Sequence, residues 1–168
     1  WTLGYQQCRW SYMSDAEVRS VAQHMRKCGI PGDAIHLDID YMDRYKVFTW
    51  TPDQERYPDP EKLISDLADD GIKIVTIIDP GVKVEEGYSV YDEGVEKGYF
   101  AKTPEGDIYV NEVWPGDAVY PDFGKKEVRS WWGKNQQFLL DKGVRGVWND
   151  MNEPASFRGQ LPPDVVFT

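Results

Sequence analysis

Short apolar runs alternate with amphipathic stretches along this chain, and each repeat of the alternation predicts a strand followed by a helix. Leu3–Tyr5 opens the series as a candidate strand. Ser14-Asp15-Ala16-Glu17 then reads as a capping box, with Ser at N-cap and Glu at N3 relieving backbone donors that a helix start leaves unpaired. Behind it Val18, Val21, Ala22 and Met25 recur at i, i+3, i+4 and i+7, and Gly29 with Pro31 predicts the stop. Residues Ala34–Asp40 are apolar and β-branched at first and acidic at the end, the pattern of a buried strand with a polar tip. Pro60 behind Asp59 starts a second helix, with Leu63, Ile64, Leu67 and Ala68 on one face and Gly71 as its terminator. Lys73–Ile78 is a third buried strand that runs into Asp79-Pro80. Residues 81 to about 124 break the rhythm with Gly, Pro, Tyr, Asp and Trp, which predicts a long functional loop. A third helix is expected over roughly Lys126–Lys142, carrying Val128, Trp131, Trp132, Phe138 and Leu139 before Gly143, and Gly146–Asp150 is the last strand.

Four near-continuously apolar strands separated by helices predict a parallel sheet built from βαβ units, hence an α/β fold. Three of the strands end in an acid, and both doubly wound sheets and (β/α)₈ barrels place their sites at that end. No GxGxxG or phosphate-loop pattern follows the first strand, where Gly4 is succeeded by Gln6-Gln7-Cys8-Arg9, so a barrel is preferred. Only four βα repeats fit within the chain, against the eight of a closed barrel, so the expectation is a partial TIM barrel, its first half, with no second domain.

Composition narrows the function. The 168 residues carry 19 Lys+Arg against 29 Asp+Glu, a net charge of −10 without any basic stripe, which argues against nucleic acid as a partner. No apolar run approaches the roughly 18 residues that span a bilayer, and no signal peptide opens the chain. The 7 Trp, 10 Tyr and 6 Phe often sit beside Gly, Pro or Asp, which fits either a ligand surface or the margin of a larger core. Cys8 and Cys28 form no CxxC pattern, so two buried thiols are expected, and few cysteines without a signal favour the cytoplasm.

Several chemistries drop out. Serine hydrolysis lacks a GxSxG elbow, and of the two histidines His24 falls on a helix surface while His36 reads as a hydrogen-bonded residue of a buried strand. Asp38, Asp40 and Asp43 approach calcium-loop spacing, but the bidentate Glu of such a loop is replaced by Thr49, so no metal is expected. Asp15 and Asp59 read as helix caps. What remains is carboxylate chemistry: Asp38, Asp40, Asp79, Asp150 and Glu153 lie at or just beyond strand ends, amid aromatic rings. Paired carboxyls beside rings are the equipment of glycoside hydrolysis, in which one attacks or activates water, another protonates the leaving oxygen, and rings stack on sugars.

Trp148-Asn149-Asp150-Met151-Asn152-Glu153-Pro154 resembles the nucleophile segment, W-x-D-M-N-E-P, of glycoside hydrolase family 31, the α-glucosidase family. Gly4–Trp10, His36–Met42, Ile77–Pro80, Val113–Gly116 and Tyr120–Phe123 resemble further family segments in family order, across essentially the whole chain. The resemblance implies a retaining enzyme acting on the non-reducing end of α-glucoside oligosaccharides, with no cofactor. It implies that Asp150 is the nucleophile and that Asp38 holds hydroxyls of the non-reducing sugar. By the same resemblance Ile39, Ile77, Trp114, Trp148 and Met151 line the sugar pocket, Trp10 and Phe157 stand toward its mouth, and Asp79 and Glu153 orient their neighbours. The family's acid/base, a second Asp on a later strand, falls downstream of Thr168, and a β-sandwich precedes the barrel. A half-barrel with open sheet edges is expected to self-associate and, alone, to be inactive. Two other readings differ in kind. One is a non-catalytic carbohydrate-binding or interaction fragment. The other is a magnesium-dependent phosphohydrolase of the haloacid dehalogenase type, suggested by Asp38-Ile39-Asp40 but ill-matched by the following Tyr41-Met42.

Overall fold

The computed structural model describes residues 1–168, which form β1 (Tyr5–Gln7), α1 (Asp15–Lys27), β2 (Gly32–Leu37), a 3₁₀ turn (Ile39–Tyr41), α2 (Pro60–Asp69), β3 (Lys73–Ile78), β4 (Val82–Lys83), α3 (Ser89–Glu96), β5 (Val110–Val113), β6 (Gly116–Val119), α4 (Lys126–Asn135), α5 (Gln137–Asp141) and β7 (Gly146–Asn149). They divide into two compact units. The first comprises Trp1–Arg44, Thr49–Ile78 and Phe138–Trp148, and the second Tyr45–Phe48, Asp79–Gln137 and Asn149–Thr168.

The first unit holds the four-stranded sheet in the order β1-β2-β3-β7, with β1–β2 and β2–β3 parallel, as expected of the opening strands of a (β/α)₈ barrel. Ala34 stands opposite Lys73 and Leu37 opposite Thr76, so the register carried one step further puts Asp38 level with Ile77. Ser14 caps α1 by accepting from the Glu17 N–H (3.2 Å), but the Glu17 carboxylate takes the Met13 N–H (2.8 Å) rather than returning to Ser14. Asp59 caps α2 through the Lys62 N–H (2.9 Å), as expected, whereas Asp15 lies inside α1 and pairs with Arg19. Val18, Ala22 and Met25 of α1 are buried, as are Leu63, Ile64 and Leu67 of α2, while Val21 is half-buried and Ala68 exposed. Tyr41, Trp50 and Tyr57 add an aromatic cluster, locked by Tyr41 Oη donating to the Ile77 carbonyl (2.8 Å) and Tyr57 Oη to the Tyr12 carbonyl (2.6 Å).

The second unit corrects the expectation of a long loop after residue 81. It contains α3 and a three-stranded antiparallel sheet, β4-β6-β5, over a core that includes Phe100, Val119, Tyr120 and Trp131. Neither piece announces itself locally: α3 has no side-chain cap and carries Gly94, and β4 is two residues long. Glycine is required at position 94 because the Phe100 ring lies where a Cβ would stand. Two further corrections concern elements. The first strand is Tyr5–Gln7, not Leu3–Tyr5, because pairing begins at Tyr5 opposite Gly32 and Leu3 is left exposed. The third helix divides at Gln136 into α4 and α5, just after the weak helix formers Gly133 and Asn135. The thiols are also not buried: Cys28 is the C-cap of α1 and Cys8 follows β1, and both are exposed and unpaired.

Candidate active site

Eleven residues singled out in the sequence distribute between the units. Trp10, Asp38, Ile39, Ile77 and Trp148 belong to the first, and Asp79, Trp114, Asp150, Met151, Glu153 and Phe157 to the second.

In the first unit, β2 delivers Asp38 at its carboxyl end. The side chain is part-buried and accepts from the Ile39 N–H (2.8 Å), so the acid caps the 3₁₀ turn that ends the strand. Ile39 is buried within that turn, and Ile77, the penultimate residue of β3, is buried level with Asp38. This is one cluster the structure does assemble. Cys8 lies in the field of Asp38, and although the residue is exposed, partial desolvation of its thiol and then that carboxylate push the thiol up, which makes it a poor nucleophile. His36 is half-buried, its Nε2 2.8 Å from Gln6 Oε1, and its ring meets the Trp148 ring edge-on at 6.1 Å. Burial holds its imidazole below the ordinary histidine range, so it serves as a neutral brace for Trp148. Trp10 projects with 70% of its surface exposed, on the loop where Arg9 lies over the Tyr12 ring at 4.7 Å.

In the second unit, Asp79 directly follows β3 and is buried, and Asp150 directly follows β7 and is partly exposed. Met151 adopts a left-handed backbone (φ 62°), so the chain leaves the strand direction immediately after Asp150. A non-glycine residue held there stores strain of the kind found where a reactive side chain must be displayed. The turn closes with the Ala155 N–H on the Met151 carbonyl (3.0 Å), and Glu153 is exposed on it. Tyr120 fixes the next step by donating its hydroxyl to the Ala155 carbonyl (2.9 Å), and burial pushes that phenol up to about 12. Trp114 occupies the first position of the two-residue turn between Val113 and Gly116, which are paired in the β5–β6 hairpin, and Gly116, on the far flank of the turn, has a positive φ (90°). Exposed by 46% and 49%, Trp114 and Phe157 meet edge-to-face with centroids 5.0 Å apart, a second assembled cluster.

No three His, Cys, Asp or Glu side chains are grouped to hold a metal ion. An apolar cavity of about 250 Å³ in the second unit is bordered by Tyr120, Phe123, Asn152 and Pro154, so it adjoins the segment that carries Asp150. Arg158 escaped the sequence reading. Its partners, Glu112 and Asp117, lie more than 40 residues earlier, and no local spacing reveals them.

A family model described as "Glycosyl hydrolases family 31 TIM-barrel domain" matches residues 1–167. The chain is 49% identical over 165 residues to "Alpha-glucosidase 2" of Bacillus thermoamyloliquefaciens, covering 98% of this chain and 21% of that protein. It is 41% identical over 157 residues to "Alpha-glucosidase" of Saccharolobus solfataricus, covering 94% and 22%. Among solved structures it resembles a chain of an ER glucosidase II heterodimeric complex consisting of the catalytic subunit and the binding domain of the regulatory subunit (TM-score 0.91, 40% identity, 98% of this chain and 18% of that one). It also resembles a family 31 dextranase of Flavobacterium johnsoniae complexed with glucose (TM-score 0.84, 36% identity, 92% and 19%). The chain thus spans about a fifth of the length of these relatives.

Proposed function

The chain belongs to glycosyl hydrolase family 31, as part of its TIM-barrel domain, and on that premise we propose that residues 1–168 are the N-terminal half of the catalytic barrel of a retaining α-glucosidase. The observation that carries the reading is Asp150, a partly exposed carboxylate just past the end of β7 whose chain is turned away at once by left-handed Met151.

The chemistry runs in two displacements. Asp150 attacks the anomeric carbon of the terminal glucose, and the glycosidic oxygen departs with a proton from a second carboxyl group about 5–5.5 Å away, leaving a glycosyl ester on Asp150. Water, deprotonated by the same second group, then attacks the anomeric carbon, releases glucose with its configuration retained and regenerates the Asp150 carboxylate. That second group is an Asp from a later strand outside residues 1–168. Asp38 accepts hydrogen bonds from hydroxyls of the same sugar, charge-assisted and about twice as strong as neutral ones. Ile39, Ile77, Trp114, Trp148 and Met151 enclose the ring, Trp10 and Phe157 receive the leaving group, and Asp79 and Glu153 orient their neighbours. The mechanism needs two carboxyls and water and no cofactor. No helix is long and apolar enough to cross a membrane. The two exposed, unpaired thiols fit a reducing compartment such as the cytoplasm.

The test is made in the full-length enzyme. Asp150→Asn should lower kcat/KM for an α-glucoside on the order of 10⁴-fold, because the covalent intermediate is lost. A fluorosugar that traps the glycosyl-enzyme should label Asp150. Asp38→Ala should weaken turnover while labelling still proceeds, more slowly, at Asp150. Near-parental activity of the Asp150 variant, or a label on another carboxylate, refutes the assignment.

A further inference from the structure

The segment that follows Asp150 returns to the β5–β6 hairpin and is fastened to it. The Phe157 N–H donates to the Glu112 carbonyl (2.8 Å), and the Arg158 N–H to Asn111 Oδ1 (3.3 Å). Asn111 is itself buried, its Nδ2 donating to Tyr109 Oη (2.6 Å). Arg158 then divides its guanidinium between two strands: Nε donates to Glu112 Oε2 (2.9 Å) and Nη2 to Asp117 Oδ1 (2.7 Å). Glu112 and Asp117 stand directly opposite one another in the hairpin register. Two carboxylates so placed repel and destabilise the pairing. Arg158 lies across them and turns a repulsive pair into a bridged one, and both acids in turn hold its guanidinium more firmly charged, Glu112 first. Two residues beyond Glu112 the hairpin ends in Trp114, whose ring meets Phe157.

We propose that Arg158 is a positioning residue for the leaving-group side of the site, fastening its own segment to the β5–β6 hairpin across Glu112 and Asp117 so that Phe157 stays edge-on to Trp114. This rests on the α-glucosidase reading, which puts Phe157 beside the departing sugar and Trp114 against the glucose ring. Arg158 acts through the hairpin and does not touch the substrate. A guanidinium suits the task because its planar fork reaches two carboxylates at once, where an ammonium is a single point charge. The three charges are half-exposed, so each ion pair is individually weak, and the effect is a shift in ring placement rather than a collapse of the fold.

The experiment compares two substrates in the full-length enzyme: an α-linked glucosyl disaccharide, whose leaving sugar reaches Phe157, and α-glucosyl fluoride, whose leaving group does not. Arg158→Met, which keeps the aliphatic stem, should lower kcat/KM for the disaccharide about fivefold, mainly through KM, and change that for the fluoride by less than twofold. Arg158→Lys should recover part of the loss. Adding Asp117→Asn to Arg158→Met should also recover part of it, because the repulsion is removed at its source. An equal fall for both substrates, no fall for either, or no relief from Asp117→Asn overturns the proposal. A parental enzyme that turns over neither substrate instead sinks the α-glucosidase reading and the proposal with it.

Discussion

The same substitution, Gly→Ala, should have opposite signs in two helices of the second unit. Gly94 lies inside α3 and Gly133 inside α4. In a helix interior alanine is favoured over glycine by about 0.5–1 kcal/mol, because glycine loses more backbone freedom on folding. A Cβ at Gly133 meets nothing within 4 Å, so that gain should be realised in full. A Cβ at Gly94 meets three carbons of the Phe100 ring, Cζ most closely and Cε2 at 2.5 Å, where carbon atoms rest comfortably at about 3.5–4.0 Å. The ring must therefore retreat by more than about an ångström. It has little room: Phe100 is 1% exposed and packed against Trp131 and Tyr91. Overpacking of this kind costs about 1–3 kcal/mol, which outweighs the helix gain and leaves Gly94→Ala destabilising by roughly 1 kcal/mol. Native-state hydrogen exchange read by mass spectrometry separates the two helices. Amides of α4 should exchange about two- to fivefold more slowly in Gly133→Ala, the factor that 0.5–1 kcal/mol implies. Those of α3 should exchange about fivefold faster in Gly94→Ala. If Gly94→Ala slows exchange in α3 as Gly133→Ala does in α4, the ring does not lie over the glycine and the packing argument fails.

Two further outcomes are expected. Asp122 is buried and accepts from the Thr168 N–H (3.0 Å), the Thr168 hydroxyl (2.6 Å) and the Gly124 N–H (3.2 Å), with Lys125 Nζ at 3.3 Å. Burial works against its charge, but the hydrogen bonds from Thr168 and the nearby Lys125 prevail and hold the carboxyl below the usual aspartate range. A folded-state value below the unfolded one means stabilisation that is complete above about pH 4 and lost as pH falls through the folded value. Protection factors of the Lys102 and Val166 amides, which bond one another's carbonyls, should therefore drop in acid, and Asp122→Asn should abolish that drop; an unchanged acid profile in the variant refutes the role. Residues 1–168 produced alone leave β1 and β7 as the outer strands of the sheet, so light scattering should report self-association, and an unactivated α-glucoside should not be turned over. A stable monomer with strong turnover would refute the half-barrel reading.

Much of the first unit is legible along the chain because its signals are local. The Ser14 and Asp59 caps, the glycine stops and the three-and-four spacing of Val18, Ala22 and Met25 or of Leu63, Ile64 and Leu67 each lie within one element. The apolar runs of β2 and β3 are legible for the same reason, since strands buried on both faces need no partner to betray them. Where an edge depends on pairing, local reading slips: β1 begins at Tyr5 because Gly32 is its partner, and nothing in Leu3-Gly4-Tyr5 says so.

The second unit marks the boundary. By itself the sequence determines the family and singles out the candidate acids, because Trp148–Pro154 is contiguous and an acid after an apolar strand can be read in place. Tertiary structure alone decides how those candidates are held. β5 and β6 exist as a hairpin that also needs β4, Gly94 is dictated by a ring six residues away, and Glu112 and Asp117 are tolerated opposite each other because Arg158, more than 40 residues later, lies between them. Local propensity depends on a few neighbouring residues, whereas packing clearance and charge compensation depend on distances between segments far apart in the chain, and those distances exist only once the chain has folded.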